Sequence, residues 1–203
     1  MTSGDRKPEI YGLVLAGGKS VRMGRDKGLS QWYGKPHRYY LAELLAAFCT
    51  KVYISCREEQ LSEIDSIYNP LVDAVPGMGP MGGLLTAFGK HPGSAWLVTA
   101  CDLPLLDAAT LAFLVENRNL QSMATTFESP HDGLPEPLIT IWEPSSHPIL
   151  QQKANEGFSC PRRVLINNNI TILQPPVPNA LLNANTPEDA ALINKLLKSE
   201  PGS

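Results

Sequence analysis

The sequence predicts an α/β protein whose mostly parallel sheet carries helices on both faces. Two observations predict it. Short apolar runs recur along the chain, each stopped by glycine, proline or aspartate, and segments with helical apolar spacing separate most of them. Two glycine-rich turns and one aspartate follow such runs directly, and in parallel sheets ligands bind at the carboxyl ends of the strands.

Residues 1–8 read as a loose lead-in. Glu9–Leu15 reads as a buried strand, and Ala16–Lys27 as a loop in which Gly17, Gly18 and Gly24 let a ligand approach the main chain. Gly34-Lys35-Pro36 marks a turn, with Pro36 near the start of the next helix. Tyr39–Phe48 has Leu41, Leu44, Leu45 and Phe48 on one helical face. Lys51–Cys56 is the second strand. Glu58–Ile67 reads as a helix, with Leu61, Ile64 and Ile67 spaced by three. Leu71–Val75 is a third strand, Pro76–Gly83 the second glycine turn, and Leu84–Phe88 a helix leaving it. Ala95–Ala100 is a strongly apolar strand, cut off by Cys101-Asp102-Leu103-Pro104. Asp107–Asn117 is a helix with Asp107 as N-cap, and Ser122–Phe127 a further strand.

Beyond residue 128 the pattern loosens among Pro130, Pro135, Pro137 and Pro144. A strand is expected at Leu138–Trp142, helices at His147–Glu156 and Arg162–Asn167, and a small strand at Ile170–Leu173. Thr186-Pro187-Glu188-Asp189 carries the marks of a helix start, which should run to about Leu197.

Composition narrows the functional classes. The 203 residues suit one domain, and 43% hydrophobic with 18% charged residues is ordinary for a soluble globular chain. A formal charge of −3 gives no global case for nucleic acid. No apolar run approaches the roughly 20 residues of a membrane span, and the polar N-terminus lacks a signal-peptide core. A cytoplasmic protein is expected. Cys49, Cys56, Cys101 and Cys160 lack metal or redox spacing and read as buried or half-buried free thiols. His37, His91, His131 and His147 fit no ligand spacing and read as surface residues. Trp32, Trp96 and Trp142 read as core or cover.

The chemistry starts in the first loop. A triphosphate is polyanionic. Loop amides can ligate its oxygens, and Arg22, Arg25 and Lys27 can neutralise its charge. On spacing alone a plain basic loop also stays open, because neither G-x-G-x-x-G nor the Walker pattern is present. Asp102 ends a buried strand, where an isolated acid is costly without a cation or hydrogen-bond partners. Asp73 is either a turn aspartate or a ligand contact. Arg162 and Arg163 form either a solvated helix face or a phosphate contact for a second substrate. Asn183 and Asn185 serve either turn formation or substrate contact.

The stretch LAGGKSVRMGRDK resembles the signature L-A-(A/G)-G-x-(G/S)-x-R-(M/F)-G-x-(D/P)-K of nucleotidyltransferases with a glycosyltransferase-A-like, Rossmann-like fold. Further motifs resemble the molybdenum cofactor guanylyltransferases of the MobA type. These are LAGG with DKGL, Asp73-Ala-Val-Pro-Gly-Met-Gly-Pro-Met-Gly-Gly, Cys101-Asp102-Leu103-Pro104, and Asn183-Ala-Asn-Thr-Pro-Glu-Asp. Together the motifs span residues 13–189.

The resemblance implies a three-layer sandwich of the nucleotide-diphospho-sugar transferase type. It implies one nucleotidyltransferase domain over 1–203, with 9–127 holding nucleotide and 128–203 holding acceptor. The implied reaction moves GMP from GTP to the phosphate of molybdopterin-bound molybdenum cofactor, with Mg2+ and release of pyrophosphate. Arg22, Lys27 and Asp102 would be catalytic. Leu15, Ala16, Gly17, Gly18, Lys27, Ser55, Asp73, Gly79, Pro80, Gly82 and Asp102 would bind nucleotide. Asp102 would hold the metal, and Asn183, Asn185 and Arg162 would meet the acceptor. Molybdenum-insertion proteins or molybdoenzyme chaperones are further partners it allows; nucleic acid and membrane are not among them.

Two departures stand out. Ser55 occupies a position that is often asparagine in the family, and Glu136 sits where positive charge is expected. Two alternatives stay open: a cytidylyltransferase or other transferase for a different phosphorylated acceptor, and a non-catalytic nucleotide-binding protein.

Overall fold

A computed structural model describes residues 7–17, 27–177 and 179–199; the side chains of Lys27 and Ser199 fall outside the description. A seven-stranded sheet runs through the molecule in the order β3-β2-β1-β4-β6-β5-β7. Its strands are β1 (Ile10–Leu15), β2 (Lys51–Cys56), β3 (Pro70–Val72), β4 (Ala95–Ala100), β5 (Ala124–Glu128), β6 (Pro135–Trp142) and β7 (Ile170–Leu173). Neighbours pair in parallel, except that β6 runs antiparallel to both β4 and β5. The α/β class, the mostly parallel sheet and the helices on both faces hold as expected from the sequence.

Strand alternation builds the layers. Successive residues point to opposite faces, so Leu13 and Val14, both fully buried, enter different cores. Val14, Ile54 and Leu97 pack with Leu41 and Leu45 of α1 (His37–Ala46) and Leu111 and Leu114 of α3 (Ala108–Glu116). Leu13, Trp96, Val98 and Trp142 pack with Met81, Leu84 and Phe88 of α2 (Pro80–Lys90). Leu150 of α4 (His147–Asn155) and Leu165 of α5 (Pro161–Ile166) complete that layer. Trp96 and Trp142 are fully buried, which settles them as core. The last helix, α6 (Pro187–Ser199), starts as anticipated: Asp189 N–H donates to Thr186 Oγ1, and Asp189 Oδ2 accepts from the N–H groups of Asn185 and Thr186.

Several boundaries differ from expectation. Glu58–Ile67 is not an α-helix but two 3-10 turns, Glu58–Glu63 and Ser66–Tyr68. Of the three spaced apolar residues only Ile64 is buried; Leu61 and Ile67 are exposed. Ile64 is extended and Asp65 caps Ile67 N–H, so the helical path breaks between the turns. Helix α2 begins inside the glycine run, at Pro80, which supplies a preset φ. Strand β6 reaches back to Pro135. Its pairing with β4 ends at Ile139, so Pro137 lies where that neighbour requires no N–H. A register shift between Thr126 and Glu128 accompanies this stub. There the Glu136 carbonyl sits 2.7 Å from the hydroxyls of both Thr126 and Thr140.

Of the four histidines expected at the surface only His131 is exposed. His37 is fully buried and His91 and His147 are half-buried, each stacked on an aromatic ring. Cys160 is exposed rather than buried. Among the described residues no helix is long and apolar enough to cross a membrane.

Candidate active site

At the carboxyl ends of β1, β2 and β4 the chain gathers its chemistry. Leu15 ends β1, and Ala16 and Gly17 follow it. Ala16 N–H donates to Ser55 O at 3.0 Å, tying the loop entry to β2. Ser55 Oγ donates to Asp73 Oδ1 at 2.7 Å. A Cβ built on Gly17 would lie 3.5 Å from Asp73 Oδ2, so the carboxylate faces the start of the first loop. Burial raises the Asp73 pKa, while the Ser55 hydrogen bond and the nearby Arg57 charge oppose the rise. Gly18, Arg22 and Arg25 lie outside the described residues, as does the side chain of Lys27, which opens the short 3-10 turn Lys27–Leu29.

Sequence reasoning missed two residues that hold this entry. Arg57 donates through Nη1 to Gly17 O, and Gln60, only 2% exposed, donates to Ala16 O at 3.3 Å. Arg57 directly follows β2, as Asp102 follows β4 by two. The rule that polar residues just past parallel strands reach the ligand edge would have found it.

The second glycine turn has two different jobs. Gly79 has φ +54, which a side chain resists, and it precedes α2. Gly82 and Gly83 already lie in the helix. A Cβ on Gly82 would meet Val75 O at 2.7 Å, and one on Gly83 would meet Leu15 Cδ2 at 2.7 Å and Ser55 Oγ at 2.8 Å. Gly83 therefore lets α2 sit directly on the ends of β1 and β2, and Gly82 lets it close onto Val75 of its own turn, which brings Gly79 and Pro80 to the cleft.

Asp102 is half-buried beyond β4, on a loop held from two sides. Tyr33 OH donates to Pro104 O at 2.8 Å, and His37 Nε2 lies 3.3 Å from Leu103 O. Burial drives the His37 pKa down to about 4 against that hydrogen bond, so the ring is neutral at pH 7. From the other side Ala184 N–H donates to Asp102 O at 2.8 Å, bringing the Asn183–Asp189 stretch onto the loop. Asn185 spends its N–H on the α6 cap. Among the described residues no group of three or more His, Cys, Asp or Glu side chains could enclose a metal.

Across the cleft, Pro80, Glu136, Pro137, Leu138, Arg162 and Asn183 line a cavity of about 450 Å3. Arg162 donates through Nη1 to Asp132 Oδ2 and through Nη2 to Glu136 Oε2, both at 2.8 Å. It is thus an ion-paired residue of the cavity wall rather than a solvated face; Arg163, next to it, is exposed. Burial lifts the Glu136 carboxyl above the usual carboxylate range. Arg162 opposes this, and the Asp102 charge adds to it. The acid at a position expected to be basic is therefore matched by an arginine from another element.

Comparison with known proteins agrees with this arrangement. The model of the MobA-like NTP transferase domain matches residues 12–171. The chain is 37% identical over 186 residues to the molybdenum cofactor biosynthesis bifunctional protein of Synechocystis sp. The match covers 91% of this chain and 54% of that protein. It is 32% identical over 197 residues to the molybdenum cofactor guanylyltransferase of Pseudomonas fluorescens, covering 93% and 95%. The chain therefore spans about half of the first relative and nearly all of the second. Among solved structures, molybdopterin-guanine dinucleotide biosynthesis protein A from Archaeoglobus fulgidus superposes with a TM-score of 0.77 at 23% identity, covering 93% and 98%. That likeness speaks to the fold. With Gly17, Gly79 and Asp102 past the carboxyl ends of its strands and Ala184 tied to the Asp102 loop, the chain belongs to the MobA-like NTP transferase family.

Proposed function

We propose that this chain transfers GMP from GTP to the terminal phosphate of molybdopterin-bound molybdenum cofactor. The observation that carries the reading is the hydrogen bond from Ala184 N–H to Asp102 O. It joins the C-terminal motif to the aspartate loop at the end of β4, between the nucleotide edge and the cavity. The names of relatives along the full chain length support the guanylyl donor and the cofactor acceptor.

Leu15, Ala16, Gly17 and Gly18, with Ser55, Asp73, Gly79, Pro80 and Gly82, would form the nucleotide wall. Asn183, Asn185 and Arg162 would lie on the acceptor side. An oxygen of the acceptor phosphate attacks the α-phosphorus of GTP. The α–β bridging bond breaks, and its electron pair leaves with pyrophosphate. A phosphate is already ionised at neutral pH, so no side chain needs to remove a proton. Catalysis is then positioning and charge neutralisation. Arg22 and Lys27 would hold the leaving pyrophosphate.

Asp102 fits Mg2+, the resident metal of this reading. Mg2+ takes one or two carboxylates and fills its octahedron with substrate phosphates and water, so it requires no cage of protein acids. There it would offset the charge that grows on the phosphate oxygens.

Pyrophosphate release, assayed with GTP, CTP, ATP and UTP with and without molybdenum cofactor, tests the reading. Release with GTP that depends on the cofactor is expected. Release with CTP instead would replace the donor, and no release with any nucleotide would overturn the reading.

A further inference from the structure

The cavity beside Asp102 carries a chemical pattern of its own. Its volume, about 450 Å3, falls within the range of small-molecule sites, about 300–1,000 Å3. Pro80, Pro137 and Leu138 give it apolar lining. Its charged members, Glu136 and Arg162, touch each other at 2.8 Å. Arg162 commits two of its five N–H donors, one to Asp132 and one to Glu136. The Glu136 carboxylate accepts from Arg162 and, at 3.3 Å, from Leu138 N–H. This leaves it further lone-pair capacity. The cavity thus offers an acceptor and a donor side by side. Glu136 is 5% exposed, and its backbone is pinned by Thr126 and Thr140, so the pair is held in place.

Charge decides what this pair suits. Among the described lining residues Glu136 offsets Arg162, which also pairs with Asp132, so the wall offers a phosphate dianion no net positive charge. A neutral ring with N–H donors beside a carbonyl oxygen fits better. A 2-amino-4-oxopyrimidine edge presents that order: ring oxygen, ring N–H, exocyclic amine.

We propose that Glu136 and Arg162 together read the 2-amino-4-oxopyrimidine edge of the acceptor's pterin. The carboxylate accepts from the ring N–H and the amine, and the guanidinium donates to the ring oxygen. This rests on the proposed function, since it takes the acceptor to be a pterin. Guanine carries the same edge, but the pair stands on the β6 side of Asp102, away from Ser55 and Asp73. It makes Glu136 a specificity-determining residue and turns Arg162 from phosphate to ring.

The test uses the full chain and two probes, 6-hydroxymethylpterin and 6-hydroxymethyllumazine, in which a 2-oxo group replaces the amine. Binding is measured without GTP by titration calorimetry. The wild type is expected to bind the pterin about tenfold or more tightly than the lumazine, because a hydrogen bond to a charged acceptor becomes a clash of acceptors. In Glu136→Gln the preference should shrink below about threefold, with the melting temperature recorded to confirm folding. Equal binding of both probes to the wild type, or no binding of either, overturns the proposal without any variant. A parallel arm compares GTP with ITP, which lacks the 2-amino group. Loss of the GTP preference in Glu136→Gln, with the pterin preference intact, assigns the pair to the donor's base and overturns the proposal. Pterin preference without any pyrophosphate release would count against the proposed function alone. Release by the wild type together with an unchanged pterin preference in Glu136→Gln would count against this inference alone.

Discussion

The two sides of the cleft are built by opposite strand directions. From β3 to β4 the strands are parallel, and each candidate group sits just past a carboxyl end: Gly17 after β1, Arg57 after β2, Asp73 after β3, Asp102 after β4. On the other side β6 runs backwards, so the beginning of the strand reaches the cleft and supplies Glu136 and Leu138. The parallel side holds its groups on loops clamped by hydrogen bonds from Arg57, Gln60, Tyr33 and the α6 lead-in. The antiparallel side holds its acid inside the strand itself, fixed by a register shift and two threonines. The lesson is that a ligand edge can be furnished from either end of a strand, and that the end in use follows from its direction.

The strongest way to break this comparison is at the junction. Asp102→Asn is expected to lower the transfer rate by about 100-fold or more while leaving the melting temperature near wild type, since on the proposed reading it would weaken the hold on a metal ion that contributes several kcal/mol to transition-state stabilisation. Turnover near wild type in a folded variant would remove Asp102 from the chemistry.

Acid probes the clamp on its loop. The His37 pKa is lowered from 6.5 to about 4. Between those values the unfolded chain binds a proton that the folded chain does not, so stability falls as pH drops from about 6.5 to about 4. The loss reaches about 3 kcal/mol at the lower end. Urea unfolding at pH 7 and pH 4.5 should show a smaller difference for His37→Gln than for the wild type, and an unchanged difference would contradict the buried neutral ring.

A smaller effect sharpens the packing argument. Gly83→Ala should cost about 1–3 kcal/mol through overpacking against Leu15 and Ser55, read by urea denaturation. Gly89, where a Cβ meets nothing within 4 Å, provides the control: Gly89→Ala should be neutral or stabilising, because alanine is favoured over glycine inside a helix. If both substitutions behave alike, the close seat of α2 is not what Gly83 serves.

The parallel side was legible in the sequence because its groups follow apolar runs and come with glycines, both visible in one dimension. The glycine turns and Asp102 could be placed at one edge because each follows a strand, whereas Asp73 fell inside the strand expected over Leu71–Val75, which in fact ends at Val72. The other side was harder for physical reasons. A proline-rich run conceals a strand unless its neighbour is known to stop short, as β4 does beside Pro137. Glu136 could be seen as an acid out of place, but its partner lies 26 positions later, on α5. His37 was taken for a surface residue because burial of a neutral imidazole leaves no mark on spacing. The helix expected over Glu58–Ile67 failed because a spacing of three suits 3-10 turns as well as it suits an α-helix.

The most direct measurement of the two-sided cleft is the pair of Michaelis constants in Ser55→Ala and Glu136→Gln. Ser55→Ala removes the hydroxyl that orients Asp73 and should raise the KM for GTP about five- to tenfold with little change for the acceptor. Glu136→Gln should do the reverse. Both constants moving together in each variant would contradict a cleft divided between a parallel donor side and an antiparallel acceptor side.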